Sequence, residues 1–215
     1  GISEVISMKI GIMGGTFDPI HNGHLHLART ALTQFDLDQI WFMPNGMPPH
    51  KKQSSIESDI HERIAMTRIA IKANKQFYLQ EYEAKREKVS YSYKTMEHFR
   101  KIYPDDEFYF IIGADSLFSI ETWKHPERLF KACIILAACR DEAATKESLN
   151  GQIQMLKGKY GAYIKFLAMP LEHVSSHEIR KLIESGEPVS EYIPAEVEAY
   201  IRKEGLYGSG NRKNQ

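Results

Sequence analysis

GGTFDPIHNGH, residues 14–24, lies between a short apolar run, Ile10 to Met13, and a segment whose apolar residues recur at helical spacing. That context predicts a strand, a tight turn and a helix. Gly14 and Gly15 lack a Cβ, so the backbone can turn sharply and a ligand can approach it closely. Asp18 and Pro19 continue the turn chemistry, and Asn22 is placed to cap a helix whose first turn holds Gly23 and His24. Free amides and the positive end of the helix dipole would then collect at the strand mouth, where an anion binds well. His21 and His24 are three residues apart and can both point into that site. A glycine pair alone does not specify phosphate, and histidines at this spacing also serve as metal ligands. The surrounding residues supply no clear third ligand, so no protein-held metal is assigned.

The chain alternates strand and helix signals. Strands are predicted at Lys9 to Met13, Ile40 to Met43, Phe77 to Gln80, Glu107 to Ile112, Lys131 to Ala138 and Tyr163 to Ala168. Helices are predicted at Asn22 to Gln34, Glu57 to Ala73, around Met96 to Ile102, and at Ala143 to Leu156, with a last one opened by Pro194. This alternation predicts an α/β fold: a single-domain, Rossmann-like, doubly wound and mostly parallel sheet with helices on both faces. Ligands then bind beyond the carboxyl ends of the strands. The domain is read as residues 8–207, with 1–7 an extension ahead of Met8 and 208–215 a flexible, glycine-rich tail.

Lysine plus arginine equals aspartate plus glutamate, 28 each, so no global field points to nucleic acid or a membrane surface. No apolar run is long enough to span a bilayer, and the first residues lack a signal pattern. Cys133 and Cys139 lie in or beside an apolar run, and Cys133 reads as a core residue. Two such cysteines suit a reduced, cytoplasmic protein better than a disulfide framework. The sequence is compatible with a homo-oligomer.

As one unit the opening stretch resembles the HxGH signature of the nucleotidyltransferase superfamily, here His21, Asn22, Gly23 and His24. In its longer form it looks like the bacterial nicotinate mononucleotide adenylyltransferases. A second stretch, Val174 to Arg180 (VSSHEIR), has a serine followed two residues later by Glu178, which resembles a helix N-terminus with two hydroxyls at one point, and Arg180 lies one turn in. Alone it is a capped helix with a surface arginine. Beside the first motif it resembles the family's ISSTxIR signature, with His177 where threonine is usual.

Three further stretches support the resemblance. Pro48, Pro49, His50 and Lys51 follow the second strand in a stiff loop, where a lysine pair is ordinarily solvated surface. The resemblance implies that Lys51 reaches the nucleotide phosphates. Ser90 and Tyr91 precede a helical pattern, and Ser90 or Ser92 could simply cap it. The family has such a pair in the wall of the pyridine nucleotide pocket. Gly113, Ala114 and Asp115 end the fourth strand, where Asp115 can accept from a ribose hydroxyl or cap a helix over Ser116 to Ile120. Trp123 follows, either to stack on a pyridine ring or to fill the core.

The resemblance implies adenylyl transfer from ATP, with Mg2+, to nicotinate mononucleotide. It assigns Gly14, Gly15, Thr16, Phe17, His21, His24, Gly113, Asp115, Ser175, Ser176 and Arg180 to ATP. It assigns Gly15, Thr16, Lys51, Ser90, Tyr91 and Trp123 to the mononucleotide, and the chemistry to His21, His24, Lys51 and Arg180. Nicotinamide mononucleotide or another phosphate as acceptor, and a non-catalytic nucleotide sensor, stay open. A dinucleotide redox enzyme is disfavoured, because the GxGxxG fingerprint is missing.

Overall fold

The structure is a computed structural model and describes residues 7–46, 57–140, 142–169 and 174–212. Its strands are β1 (Lys9–Gly15), β2 (Gln39–Pro44), β3 (Phe77–Leu79), β4 (Glu107–Gly113), β5 (Ile134–Arg140) and β6 (Ile164–Met169). They form one sheet in the order β3-β2-β1-β4-β5-β6. The order reverses between β1 and β4, which is the doubly wound arrangement the alternation predicts. Pairing is parallel with Ile12 opposite Phe110, Phe110 opposite Ile135, and Leu136 opposite Lys165. Phe108 to Ile112 and Ile135 to Cys139 are buried without a break, as strands covered on both faces must be. Edge strand β6 instead exposes Lys165, a charge that discourages further pairing.

The helices are α1 (Asn22–Gln34), α2 (Ile60–Ile71), α3 (Ser92–Ile102), α4 (Ala114–Ser119), α5 (Pro126–Ala132), α6 (Ala143–Tyr160), α7 (Ser176–Glu184) and α8 (Ala195–Glu204). Among the described residues none is long and apolar enough to cross a membrane. Helix α2 is shorter than the expected Glu57 to Ala73, because Asp59 caps it, and two further boundaries move for local reasons. Pro126 starts α5, which holds Lys131 and Ala132 in its last turn, so β5 begins at Ile134 rather than Lys131. Helix α6 runs past Leu156 until Gly161 takes up a left-handed φ of 66°.

The expected single domain contains two compact units, each built from three segments. The first comprises Gly1–Gly14, Leu27–Trp41 and Ser90–Leu171. In its core the Trp41 indole meets Phe99, Tyr103 and Phe108 edge-on at centroid distances of 5.3, 5.5 and 5.7 Å. Cys133 and Cys139 are buried free thiols, and burial pushes the Cys133 thiol up. The second comprises Gly15–His26, Phe42–Val89 and Glu172–Gln215. There the Phe42 ring lies 6.0 Å from Phe17 and 4.9 Å from Phe77.

The flexible tail expected from residue 208 is not found at Gly208 to Gly210. A 3-10 segment, Leu206–Arg212, packs on α7 and α8. Tyr207 and Ser209 are buried, and the Ser209 hydroxyl donates to the Ile201 carbonyl at 3.1 Å. The glycines that suggested fraying are what permit this packing. A Cβ on Gly210 would stand 3.0 Å from the Gly205 Cα. Residues 213–215 lie outside the described residues, as do 1–6.

Candidate active site

The second unit gathers Gly15, Thr16, Phe17, His21, His24, Ser175, Ser176 and Arg180. The cap of α1 falls one residue earlier than expected: the His21 carbonyl accepts from the amides of His24 and Leu25, at 3.1 and 3.3 Å. His21 thus stands at the N-cap and Asn22 at the first helical position, its side chain donating to the Glu191 carbonyl. The His21 Nδ1 accepts from the Gly23 amide at 3.0 Å, and the His24 Nδ1 accepts from the His21 amide at 3.1 Å. This is a capping box in which two imidazoles replace the usual hydroxyl and carboxamide.

Two consequences follow from that arrangement. The Asn22 amide donates to the Tyr192 carbonyl at 2.8 Å, so the first turn of α1 does not supply the free amides expected of it. Its backbone donors are consumed by caps, and the anion donors must come from side chains. Each Nδ1 accepts from a backbone N–H, so in each neutral ring the proton sits on Nε2. The rings stack at 3.8 Å, and Phe17 meets His24 edge-on at 5.0 Å. Phe17 holds a left-handed φ of 53°. Its ring lies 3.1 Å from where a Gly15 Cβ would be, so a side chain at position 15 would crowd the turn.

Helix α7 begins at the paired serines, and of the two it is Ser175 that caps it, its Oγ accepting from the Glu178 amide at 3.1 Å. The Ser176 hydroxyl donates to the Pro19 carbonyl, and Arg180 Nη1 to the Asp18 carbonyl, both at 2.8 Å. Arg180 Nη2 lies 3.4 Å from His177 Nδ1, so His177, in the place usually held by threonine, sits against the arginine. Arg180 Nε is buried with no hydrogen-bond partner, and the nearest carboxylate oxygen, Glu57 Oε1, is 3.7 Å away.

Two residues of this unit did not stand out as site residues in the sequence. Asp18 is 2% exposed. Its carboxylate accepts from the amides of Glu57 and Ser58, at 2.8 and 3.2 Å, and from the Tyr207 phenol at 2.5 Å. Arg63 is also 2% exposed and donates to the carbonyls of Thr16 and Asn45 at 2.9 and 2.8 Å. On α2 the buried residues are Arg63, Met66, Thr67 and Ile71, while the apolar Ile60, Ile64 and Ile69 are half-buried. Arg63 falls on the buried face by spacing, a signal that counting only apolar residues overlooks. Lys51 lies outside the described residues.

Burial pushes the Tyr207 phenol well above its ordinary range, and the Asp18 charge and hydrogen bond add to this, against Ser58 and Arg180. A tyrosine raised in the native state stabilises the fold fully below its unfolded value near pH 10, and that contribution is lost as pH rises above it. The melting-temperature advantage of the wild type over Tyr207→Phe is therefore expected to shrink between pH 8 and pH 11. A gap that stays constant across that range would contradict the assigned hydrogen bond.

The first unit holds Gly14, Ser90, Tyr91, Gly113, Asp115 and Trp123. Gly14 and Gly113 lie in the carboxyl-terminal ends of the paired strands β1 and β4. A Cβ on Gly113 would meet nothing within 4 Å. Helix α4 starts at Ala114 with Gly113 at its N-cap, so Asp115 is an exposed first-turn residue and not the cap. Helix α3 has Tyr91 at its N-cap, so neither Ser90 nor Ser92 caps it. The Ser90 hydroxyl is buried without a hydrogen-bond partner. Lys124 Nζ lies 4.9 Å from the Tyr91 ring centroid, which brings the Trp123–Lys124 segment to the start of α3. Trp123 is half-buried and outside the core.

The cytidylyltransferase-like family model matches residues 12–182. A protein of Carboxydothermus hydrogenoformans named "probable nicotinate-nucleotide adenylyltransferase" is 44% identical over 199 residues, which span 93% of this chain and 98% of that one. A Clostridium kluyveri protein of the same name is 40% identical over 202 residues, 93% and 99% of the two chains. In fold the chain is similar to Plasmodium falciparum nicotinic acid mononucleotide adenylyltransferase complexed with NaAD. The TM-score is 0.72 at 22% identity, over 94% of this chain and 98% of that one. With both histidines and the α7 serines inside the matched residues, and relatives matched over almost their whole length, the chain belongs to the cytidylyltransferase-like family, among the nicotinate-nucleotide adenylyltransferases.

Proposed function

We propose that the chain transfers the adenylyl group of ATP to nicotinate mononucleotide, giving deamido-NAD and pyrophosphate in NAD biosynthesis. A phosphate oxygen of the mononucleotide attacks the α-phosphorus in line. The bond from that phosphorus to the oxygen bridging it to the β-phosphorus breaks, and the electron pair leaves with pyrophosphate. No protein nucleophile is needed, because the attacking phosphate is already an anion. Catalysis then rests on positioning and on donors aimed at developing charge.

The paired imidazole cap carries this reading. It fixes two Nε2–H donors on one rigid turn without asking either ring to change its proton. His24 serves the α-phosphate, and His21 helps hold the phosphates. Ser175, Ser176, Arg180 and Lys51 hold the β and γ groups that leave, and Arg180 Nε is a buried donor still wanting an acceptor. The Gly14 to Phe17 turn, Gly113 and Asp115 take the rest of ATP. Ser90, Tyr91 and Trp123, with Gly15, Thr16 and Lys51, receive the mononucleotide, and the unsatisfied Ser90 hydroxyl supports that assignment.

Mg2+ accompanies ATP in this proposal. Among the described residues no three His, Cys, Asp or Glu side chains gather to hold a metal ion. The Asp18 carboxylate is spent on two amides and a phenol. The resemblance puts the ion mostly on ATP oxygens and water, where it would offset phosphate charge. Residues 8–207 and the packed turn beyond them form the nucleotidyltransferase domain. Two buried free thiols support a cytoplasmic setting.

Pyrophosphate release with ATP and Mg2+, measured with nicotinate and nicotinamide mononucleotide in parallel, tests the assignment. The acid is expected to be turned over at least about tenfold more efficiently, the scale of one polar contact in a built site. Equal rates would remove the acid specificity, and ATP binding without release would leave a sensor.

A further inference from the structure

We infer that Tyr207, near the carboxyl end of the chain, is a positioning residue for the triphosphate: its phenol, bonded to Asp18, fixes the two carbonyls that hold Ser176 and Arg180. The inference rests on the adenylyl-transfer reading, in which those two side chains bind the phosphates that leave. Both are tethered to one dipeptide, Ser176 to the Pro19 carbonyl and Arg180 to the Asp18 carbonyl. The placement of that dipeptide therefore sets the placement of both donors.

The dipeptide is anchored through the Asp18 carboxylate, which has three donors. Two are the consecutive amides of Glu57 and Ser58, ahead of α2. The third is Tyr207, 189 residues further along the chain. Tyr207 reaches it with a left-handed backbone, φ 56° and ψ 33°, followed by Gly208 at φ 78°. A tyrosine adopts that conformation where its surroundings enforce it. Here the enforcement is visible in the close Gly205–Gly210 approach.

Arg180 is held in turn by Nη1, which leaves buried Nε without a hydrogen bond. Its guanidinium is fixed at one edge and can offer another to an oxyanion. Without the phenol, the carboxylate keeps two amides and gains freedom to rotate. Asp18 and Pro19 move with it, and both phosphate donors lose registry with the triphosphate.

The test compares full-length wild type, Tyr207→Phe and Ser209→Ala. Ser209→Ala loosens the same terminal turn without touching Asp18. Inorganic tripolyphosphate is titrated calorimetrically, and pyrophosphate release is measured against both substrates. Tyr207→Phe is expected to weaken tripolyphosphate binding and raise KM for ATP about tenfold, with KM for the mononucleotide within about twofold. Ser209→Ala is expected to melt lower with both KM values unchanged. Unchanged tripolyphosphate affinity in Tyr207→Phe overturns the inference, and so does an equal KM shift for ATP in Ser209→Ala. If wild type releases no pyrophosphate, the functional reading fails, while the tripolyphosphate comparison still decides the role of Tyr207.

Discussion

Replacing His24 with asparagine is expected to lower kcat/KM for adenylyl transfer about 100- to 1000-fold, the usual cost of one oxyanion donor, while the fold keeps its stability. The two nitrogens of the ring have separate duties. Nδ1 accepts from the His21 amide and closes the cap on α1, whereas in the proposed reaction Nε2 would carry the proton offered to phosphate. The Oδ1 of asparagine can take the place of Nδ1, but nothing in that side chain extends to Nε2. Alanine loses both duties, so His24→Ala should lose activity on the same scale and also about 1 kcal/mol of capping energy. In a chain of this size that is a fall of about 2–4 °C in melting temperature. Melting curves and pyrophosphate release on both variants separate the duties. Near wild-type turnover in His24→Asn would show that the distal nitrogen is not needed, and would remove the central claim about this turn.

The glycine pair, the strand before it and the helix after it were legible because their signals are local. The doubly wound parallel sheet followed from alternation, and a helix start at the paired serines followed from spacing. What could not be read were contacts whose partners lie far along the chain. Asp18 sat in plain view as a turn residue, but its donors come 39, 40 and 189 positions later. The Asn22 amide is taken by Tyr192, so the free helix terminus deduced from the motif alone was already closed. The imidazole cap depends on which way two rings turn, and composition says nothing of that. The glycines from Gly208 onward show another limit of local reading. Small residues near a terminus suggest fraying, yet here they let two backbone segments touch. The assignment of residues to ATP or mononucleotide came from resemblance, because a histidine or a serine in a turn has no substrate written on it.

Asp18→Ala is expected to cost the fold about 3–5 kcal/mol, the range for removing one partner of a buried charged network. That is a large share of a typical stability of about 5–15 kcal/mol. The substitution strands the amides of exposed Glu57 and buried Ser58 and the buried Tyr207 phenol. It also removes a charge that favours the buried Arg63. Burial pulls the Arg63 guanidinium down from its ordinary value, and Asp18 leads the groups that pull it back. Arg63 cannot move out to water without releasing the Thr16 and Asn45 carbonyls, and Thr16 belongs to the turn that leads to His21. Asp18→Asn keeps an oxygen for the amides but turns an NH2 toward donors, so it should lose somewhat less. Urea denaturation measures both, and a double-mutant cycle with Tyr207→Phe isolates the phenol's share. Coupling between positions 18 and 207 of about 0.5–3 kcal/mol is expected for groups in direct contact. A cost below about 1 kcal/mol for Asp18→Ala, or additive effects in the cycle, would mean that the carboxylate does not tie these segments together. Arg180 and Ser176 would then need another anchor, because both hang on the carbonyls of Asp18 and Pro19.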